Sequence, residues 1–256
     1  MKILKKSKSK NTKMDNMWLD SAGIKHFWMK WRFKFLLKQL KKNNISINKK
    51  LKIMDLGCGN GILSNQLESK FNIKIDRIDA NEETLLLNKK IKGKLICYNI
   101  NTRSKKIKNY YDVIFLFDVL EHIKKDVNFL KSALFHLKKK GFLIINVPSV
   151  SILFSNYDYA VGHLRRYNVS DFEIIRKKLK VNARSIQYWG TLMLPILIIR
   201  KIVLSFYNKK NFKKIIEKGW KTNKFLNCIF KLIMSFELKF FNNSSIGTSL
   251  MVILKK

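Results

Sequence analysis

Acidic side chains are scarce in this chain. Against 53 Lys and Arg stand 17 Asp and Glu, a formal charge of +36 over 256 residues. Such an excess attracts polyanions, whether nucleic acid, an anionic membrane surface or an acidic partner. Arginine is scarce too, 8 against 45 lysines. Arg supplies the planar fork used on phosphates and bases, whereas Lys is a hydrated point charge, so most of the excess reads as solvated surface. The three cysteines, Cys58, Cys97 and Cys228, are far apart and form no CxxC. That argues against a zinc or disulfide framework and for a reducing, cytoplasmic setting. No metal site is expected. Proline occurs only at Pro148 and Pro195, so there is no Pro-Pro and no Pro-Cys pair. Long apolar runs are missing as well. Residues 1–16 are basic and polar, unlike a signal peptide or anchor, and are expected to form a flexible tail. The run 191–207 is interrupted by Arg200 and Lys201, leaving pieces shorter than the roughly 20 residues that cross a bilayer.

What is present suffices for one domain: 46% of the residues are hydrophobic and 12% aromatic. Residues 24–42 carry Trp28, Trp31, Phe35 and Leu36 at helical spacing, within a helical extension over 17–48. From 49 to 190 short apolar runs alternate with helical patterns. Strands are expected at 51–56, 74–79, 94–98, 112–117 and 141–147, and helices at 61–70, 82–91, 124–138 and 170–180. The last would be capped by Ser170 with Glu173. The alternation predicts an α/β fold, a doubly wound, mostly parallel seven-stranded sheet. Residues 191–241 read as an apolar helical insert, with Phe225, Ile229, Ile233 and Phe236 on one face of its second helix. Residues 242–256 read as the sheet's terminal strand, with one strand antiparallel near the end.

The stretch Asp55-Leu56-Gly57-Cys58-Gly59-Asn60-Gly61 falls where a strand ends and a helix begins. Glycines there permit a tight turn and a close backbone approach to a ligand, and the helix start offers free N–H groups. Asp79 closes the next strand, placed to accept both hydroxyls of an adenosine ribose. A dinucleotide loop would put a third glycine at position 62, which is Ile62. An acid at the strand end, Asp55, suits a cationic ligand end better than a pyrophosphate.

On these residues the chain resembles the class I S-adenosylmethionine-dependent methyltransferases. The run from Tyr111 to His122, ending Asp118-Val119-Leu120-Glu121-His122, looks like their fourth strand and the turn after it. Residues 137–149 look like the fifth strand. The stretch Asp118–His122 is similar to that of the ubiquinone-biosynthesis O-methyltransferases. The resemblance implies S-adenosylmethionine as cofactor, held by Asp55, Gly57, Cys58, Gly59, Gly61, Asp79, Ala80, Asn99, Ile100, Phe117 and Asp118. Asn99 departs from the Asp often found near the adenine amino group, although its amide oxygen can still accept. The missing Pro-Pro and Pro-Cys pairs count against the amino- and cytosine-C5 nucleic-acid methylation that such proteins also perform.

A second constellation runs from Asn156 to Tyr167. Its GHxRRY portion resembles a subgroup of bacterial methyltransferases met beside glycan- and lipid-modifying enzymes. Tyr157, Asp158, Arg165 and Arg166 are expected to hold the acceptor, the arginines gripping an anionic group, and His163, Tyr167 or His122 to handle a proton. The opposing reading is a loop-anchoring network with Arg166 on Asp158 or Asp171. The function expected is methyl transfer to an oxygen, or failing that a nitrogen, of a small or lipid-linked acceptor beneath an apolar lid. Peripheral contact with an anionic membrane at the inner face is compatible with this. The alternative is a basic RNA-associated methyltransferase or RNA-binding protein, with nucleic acid the less favoured partner.

Overall fold

The computed structural model of the chain describes residues 3–6, 26–209, 211–220, 223–241 and 243–256. Its strands are β1 (Ile3–Lys5), β2 (Ile53–Leu56), β3 (Ile75–Asp79), β4 (Leu95–Cys97), β5 (Tyr111–Phe117), β6 (Leu137–Pro148), β7 (Asn182–Trp189) and β8 (Ser249–Lys255). They form one sheet in the order β1-β4-β3-β2-β5-β6-β8-β7. All pairs are parallel except those of β8, which runs antiparallel to both β6 and β7. The expected α/β sheet is therefore present with eight strands rather than seven. The extra strand comes from the stretch read as a flexible tail, where Ile3–Lys5 pairs with Leu95–Cys97. The remainder of that tail, and most of the expected extension before residue 26, lies outside the described residues.

The central strands are apolar on both faces because helices cover both. Every residue of β2 is buried, including Asp55, as in sheets sandwiched between helical layers. One face packs Leu56, Ile78, Ile114 and Leu116 against α4 (Asp126–His136) and α6 (Val169–Leu179). The other packs Ile53, Phe115 and Ile253 against α1 (Phe27–Lys42) and α2 (Ile62–Phe71). On α1 the helical spacing read from sequence holds: Trp31, Phe35 and Leu36 are buried together with Trp189.

Several boundaries differ from expectation for local reasons. α3 (Glu82–Leu86) stops short of the expected residue 91. The Asn88 side chain turns inward and donates to the carbonyls of Leu85 and, at 2.7 Å, Gly59, tying the helix end to the glycine loop. α6 begins earlier, so its capping box is Asn168 with Asp171, whose carboxylate accepts the Asn168 N–H at 2.7 Å, rather than Ser170 with Glu173. The insert holds α7 (Leu194–Ser205), an unexpected α8 (Phe212–Trp220) and α9 (Lys224–Phe240). α9 turns a different face inward from the one expected. Met234 and Glu237 are buried, while Phe225 and Phe236 are exposed. Glu237 sets this orientation, because its carboxylate accepts the backbone N–H groups of Gly190 and Leu192. Leu204 of α7 and Ile215 and Ile216 of α8 pack on Tyr157 of the short α5 (Asn156–Ala160) and on Val161, so the insert lies over the loop after β6.

Candidate active site

At the carboxyl ends of the strands lie two cavities of about 400 and 370 Å³ that share Asp118 in their walls. Both fall in the range of small-molecule sites.

The larger is built on the turn after β2. The N–H groups of Gly57 and Cys58 both donate to the Ile78 carbonyl, folding the loop back on β3. Gly57 has φ 72°, and a Cβ there would stand 2.5 Å from a Val119 methyl. Gly61 has φ 75° and touches Asn88, where a Cβ would stand 2.1 Å from the amide oxygen. Only glycine fits either place. Asp55 is buried beneath the loop, accepts the Ser64 hydroxyl at 2.7 Å, and is pushed up to about 6 by burial. Asp79 accepts the N–H groups of Asn81 at 2.9 Å and Gly59 at 3.3 Å, and burial also raises its pKa. Asn99 caps the turn after β4, its amide oxygen accepting the Asn101 N–H. Of the residues expected to hold a cofactor, Asp55, Gly57, Cys58, Gly59, Asp79, Ala80, Asn99, Ile100, Phe117 and Asp118 all line this cavity. Gly61 does not; it forms the left-handed start of α2 behind the loop.

Arg32 was not expected here. It reaches from α1 to pair with Asp118 and lies over the Phe117 ring, 5.3 Å from the centroid. Met29 of the same helix also lines the cavity. A basic residue on the apolar face of α1, between Trp31 and Phe35, was the available signal. Asp118 itself adopts φ 55° and accepts the Asn146 amide at 2.6 Å.

The second cavity is mainly apolar. Phe27, Trp28, Met193, Ile196, Leu197 and Phe230 contribute to its walls, with Tyr157, Glu121, His163, Arg166 and Arg200 as polar elements. Two imidazoles stand where the cavities meet, His122 in the first and His163 in the second, their rings 4.9 Å apart. His163 Nδ1 lies 2.9 Å from Asp158 Oδ1, so Nδ1–H donates, and Nε2 stands 3.8 Å from Glu121 Oε1; in the neutral ring this tautomer makes Nε2 the acceptor. The Asp158 carboxyl, despite burial, is held well below the usual range by the His163 hydrogen bond and the Arg166 charge. His122 is pushed down to about 4 by burial and by His163, so it is neutral at pH 7. Glu121 is fully buried, neither carboxylate oxygen has a hydrogen-bond partner, and burial raises its pKa well above the ordinary value. Donor atoms of Glu121, His122 and His163 lie within 4.8 Å of one another. One oxygen and two imidazole nitrogens can hold a divalent transition metal. Sparse histidine and cysteine hid this grouping from the sequence, since His163 joins the other two only through the fold.

The rest of the second constellation is placed differently from the expectation. Arg166 is buried and bonds Asp158 through Nε at 2.9 Å and Nη2 at 3.1 Å, with Nη1 on the Ser149 carbonyl. Arg165 pairs with Asp126 at 3.1 Å and lines neither cavity. Tyr167 lines neither, and its buried hydroxyl donates to Asp126. Burial and the Asp126 charge raise the phenol pKa far above its ordinary value, so it takes no part as a base. Arg165 and Tyr167 are thus anchors of the loop, both held by Asp126, the first residue of α4.

Comparison with known proteins agrees with this geometry. A family model described as a methyltransferase domain matches residues 26–218. The ubiquinone biosynthesis O-methyltransferase of Rickettsia canadensis is 30% identical over 150 residues, 56% of this chain and 63% of that protein. The mitochondrial one of Schizosaccharomyces pombe is 25% identical over 143 residues, 53% and 51% of the two chains. The match spans less than two thirds of these relatives' length. Among solved structures, phosphoethanolamine N-methyltransferase 2 of Haemonchus contortus in complex with S-adenosyl-L-methionine superposes with a TM-score of 0.57 at 16% identity, over 94% of this chain and 58% of that one. A SAM-dependent methyltransferase from Archaeoglobus fulgidus gives 0.52 at 16% identity, over 90% and 99%. The chain belongs to the methyltransferase-domain family, and its fold is that of the class I S-adenosylmethionine-dependent methyltransferases.

Proposed function

We propose that the chain transfers the methyl group of S-adenosylmethionine to a hydroxyl oxygen of a small or lipid-linked acceptor. The observation that carries this reading is the junction of the two cavities at Asp118. On one side lie the glycine turn and its acids, and on the other an apolar chamber with His163 at its inner wall.

The residues of the first cavity fit the cofactor. Asp79 offers a buried carboxylate to ribose hydroxyls, the glycine turn admits close backbone approach, and Asp55 offers a negative charge to an ammonium. When bound, the cofactor supplies an electrophilic methyl on a sulfonium. The chain's own residues do the rest. The apolar walls take up the acceptor's hydrocarbon and exclude water. His163 Nε2 takes the hydroxyl proton, and Asp158 holds the tautomer that leaves this nitrogen bare. Arg166 locks Asp158 in place. The O-methyltransferase relatives support an oxygen acceptor.

No helix among the described residues is long and apolar enough to cross a membrane. Exposed Ile199 and Ile202 on α7, Phe206 just beyond its end, and Phe225, Leu232 and Phe236 on α9 support peripheral contact of the lid with a membrane surface. A lipid-linked acceptor would then reach the chamber through the lid.

The test is transfer of labelled methyl from S-adenosylmethionine to an alkylated catechol. We expect product with the wild-type chain and a loss of about a hundredfold in kcat for His163→Gln, the usual scale for general-base removal, with cofactor affinity unchanged. Equal turnover by the variant would remove His163 from the mechanism.

A further inference from the structure

The acceptor cavity contains an arginine that forms no ion pair among the described residues. The other arginines around the site are paired: Arg32 with Asp118, Arg165 with Asp126 and Arg166 with Asp158. Arg200 is not. It stands in α7 among the aliphatic residues Ile196, Leu197, Val203 and Leu204 that line the same cavity. Its guanidinium lies 4.3 Å from the centroid of the Tyr157 ring, and Nη1 donates to the Gly219 carbonyl at 3.2 Å. Its Nε is closed to solvent and has no hydrogen-bond partner. Among the described residues no Asp or Glu forms an ion pair with it.

This arrangement is costly without a ligand. Desolvation by the surrounding protein lowers the guanidinium's proton affinity, with Arg166 acting in the same sense and Tyr157 and Asp158 only partly opposing it. A buried donor left unmade costs more than a typical hydrogen bond contributes. A planar guanidinium stacked on an aromatic ring in the wall of the cavity suits the oxygens of a carboxylate or phosphate. The apolar walls strengthen such a pair by lowering the local dielectric. The arginines that the sequence suggested for an anion, Arg165 and Arg166, are committed to Asp126 and Asp158. Arg200 was read only as an interruption in an apolar run, because its partners are brought together by the lid.

Resting on the methyltransferase reading above, we propose that Arg200 is an anion anchor in the acceptor cavity, and that the acceptor joins a carboxylate or phosphate group to an apolar body.

Calorimetric titration of the full chain, saturated with S-adenosylhomocysteine, tests this with decanoate, decyl phosphate and the uncharged decanol. We expect at least one anion to bind tenfold or more tighter than decanol, and the comparison of the two anions identifies the preferred oxyanion. Arg200→Met should bring the anions to the affinity of decanol and leave decanol unchanged. Arg200→Lys should keep part of the preference, since a single ammonium lacks the fork. Unchanged S-adenosylhomocysteine binding by both variants reports that they are folded. Equal affinities in the wild type would overturn the anchor. So would an anion preference that persists in Arg200→Met, as it would if the surface charge caused it. Failure of the wild type to bind S-adenosylhomocysteine would instead overturn the methyltransferase reading itself.

Discussion

Asp55 shows how a single residue can trade stability for binding. Burial raises its carboxyl to about 6. Between the ordinary carboxylate pKa near 4 and this value, the folded chain holds a proton that the unfolded chain has released. This group therefore favours the folded state below about pH 4, and the contribution is lost as pH rises through 6. At pH 7 the ionised form is held at a cost on the order of 3 kcal/mol. A cationic ligand end would recover part of it. Asp55→Asn should consequently melt at or above the wild-type temperature at pH 7.5 without ligand, while S-adenosylhomocysteine affinity falls about tenfold or more. Differential scanning fluorimetry and calorimetry read the two effects. A lower melting temperature with unchanged affinity would contradict this account of Asp55. The residue was legible from sequence because its role depends on local spacing, an acid two positions before the first loop glycine. Arg32 and Arg200 were not legible in the same way. Each lies in an apolar helical pattern, and its meaning comes from partners on other elements, Asp118 for Arg32 and Tyr157 for Arg200.

The loop from Asn156 to Tyr167 is the element where sequence and structure diverge most. Its density of aromatic, acidic and basic groups marked it as functional, but chemistry and anchoring draw on the same residue types. The fold separates them, leaving His163 at the cavity with Arg166 beside it committed to Asp158, while Arg165 and Tyr167 bind Asp126 away from it. Spacing alone could not do so, since Asp126 comes from a different helix. Breaking a buried ion pair leaves an uncompensated charge, a loss of about 3–5 kcal/mol. Arg166→Ala should therefore unfold well below the wild-type temperature. Arg165 is 38% exposed at its side chain, and its pair with Asp126 is worth roughly 1 kcal/mol or less. Arg165→Ala should stay within a few degrees of wild type. Thermal melts of the two variants check this order, and a reversed order would return Arg166 to the role of a free acceptor ligand. The strands of the core were easier to read, since a β2 or β5 covered on both faces is apolar at nearly every position. The edge strand Ile3–Lys5 was not, because a three-residue edge carries little pattern.

At the scale of the molecule, the charge of +36 and the exposed apolar residues of α7 and α9 act together. Electrostatic attraction to anionic lipid falls off within a Debye length, about 10 Å at 0.1 M salt. The chain should therefore co-sediment with phosphatidylglycerol vesicles at low ionic strength and be released at about 0.5 M salt, where that length is much shorter. Absence of binding at low salt would leave the lid's exposed side chains without this role.

The central claim is that the glycine turn and its acids form a site for S-adenosylmethionine. Calorimetric titration of the full chain with S-adenosylhomocysteine, with NAD as the competing nucleotide, tests it most directly. We predict saturable one-to-one binding of S-adenosylhomocysteine, no binding of NAD, and a weakening of about ten- to a hundredfold in Asp79→Ala, the loss of a charged hydrogen-bond acceptor. Binding of NAD with no response to S-adenosylhomocysteine would contradict the account.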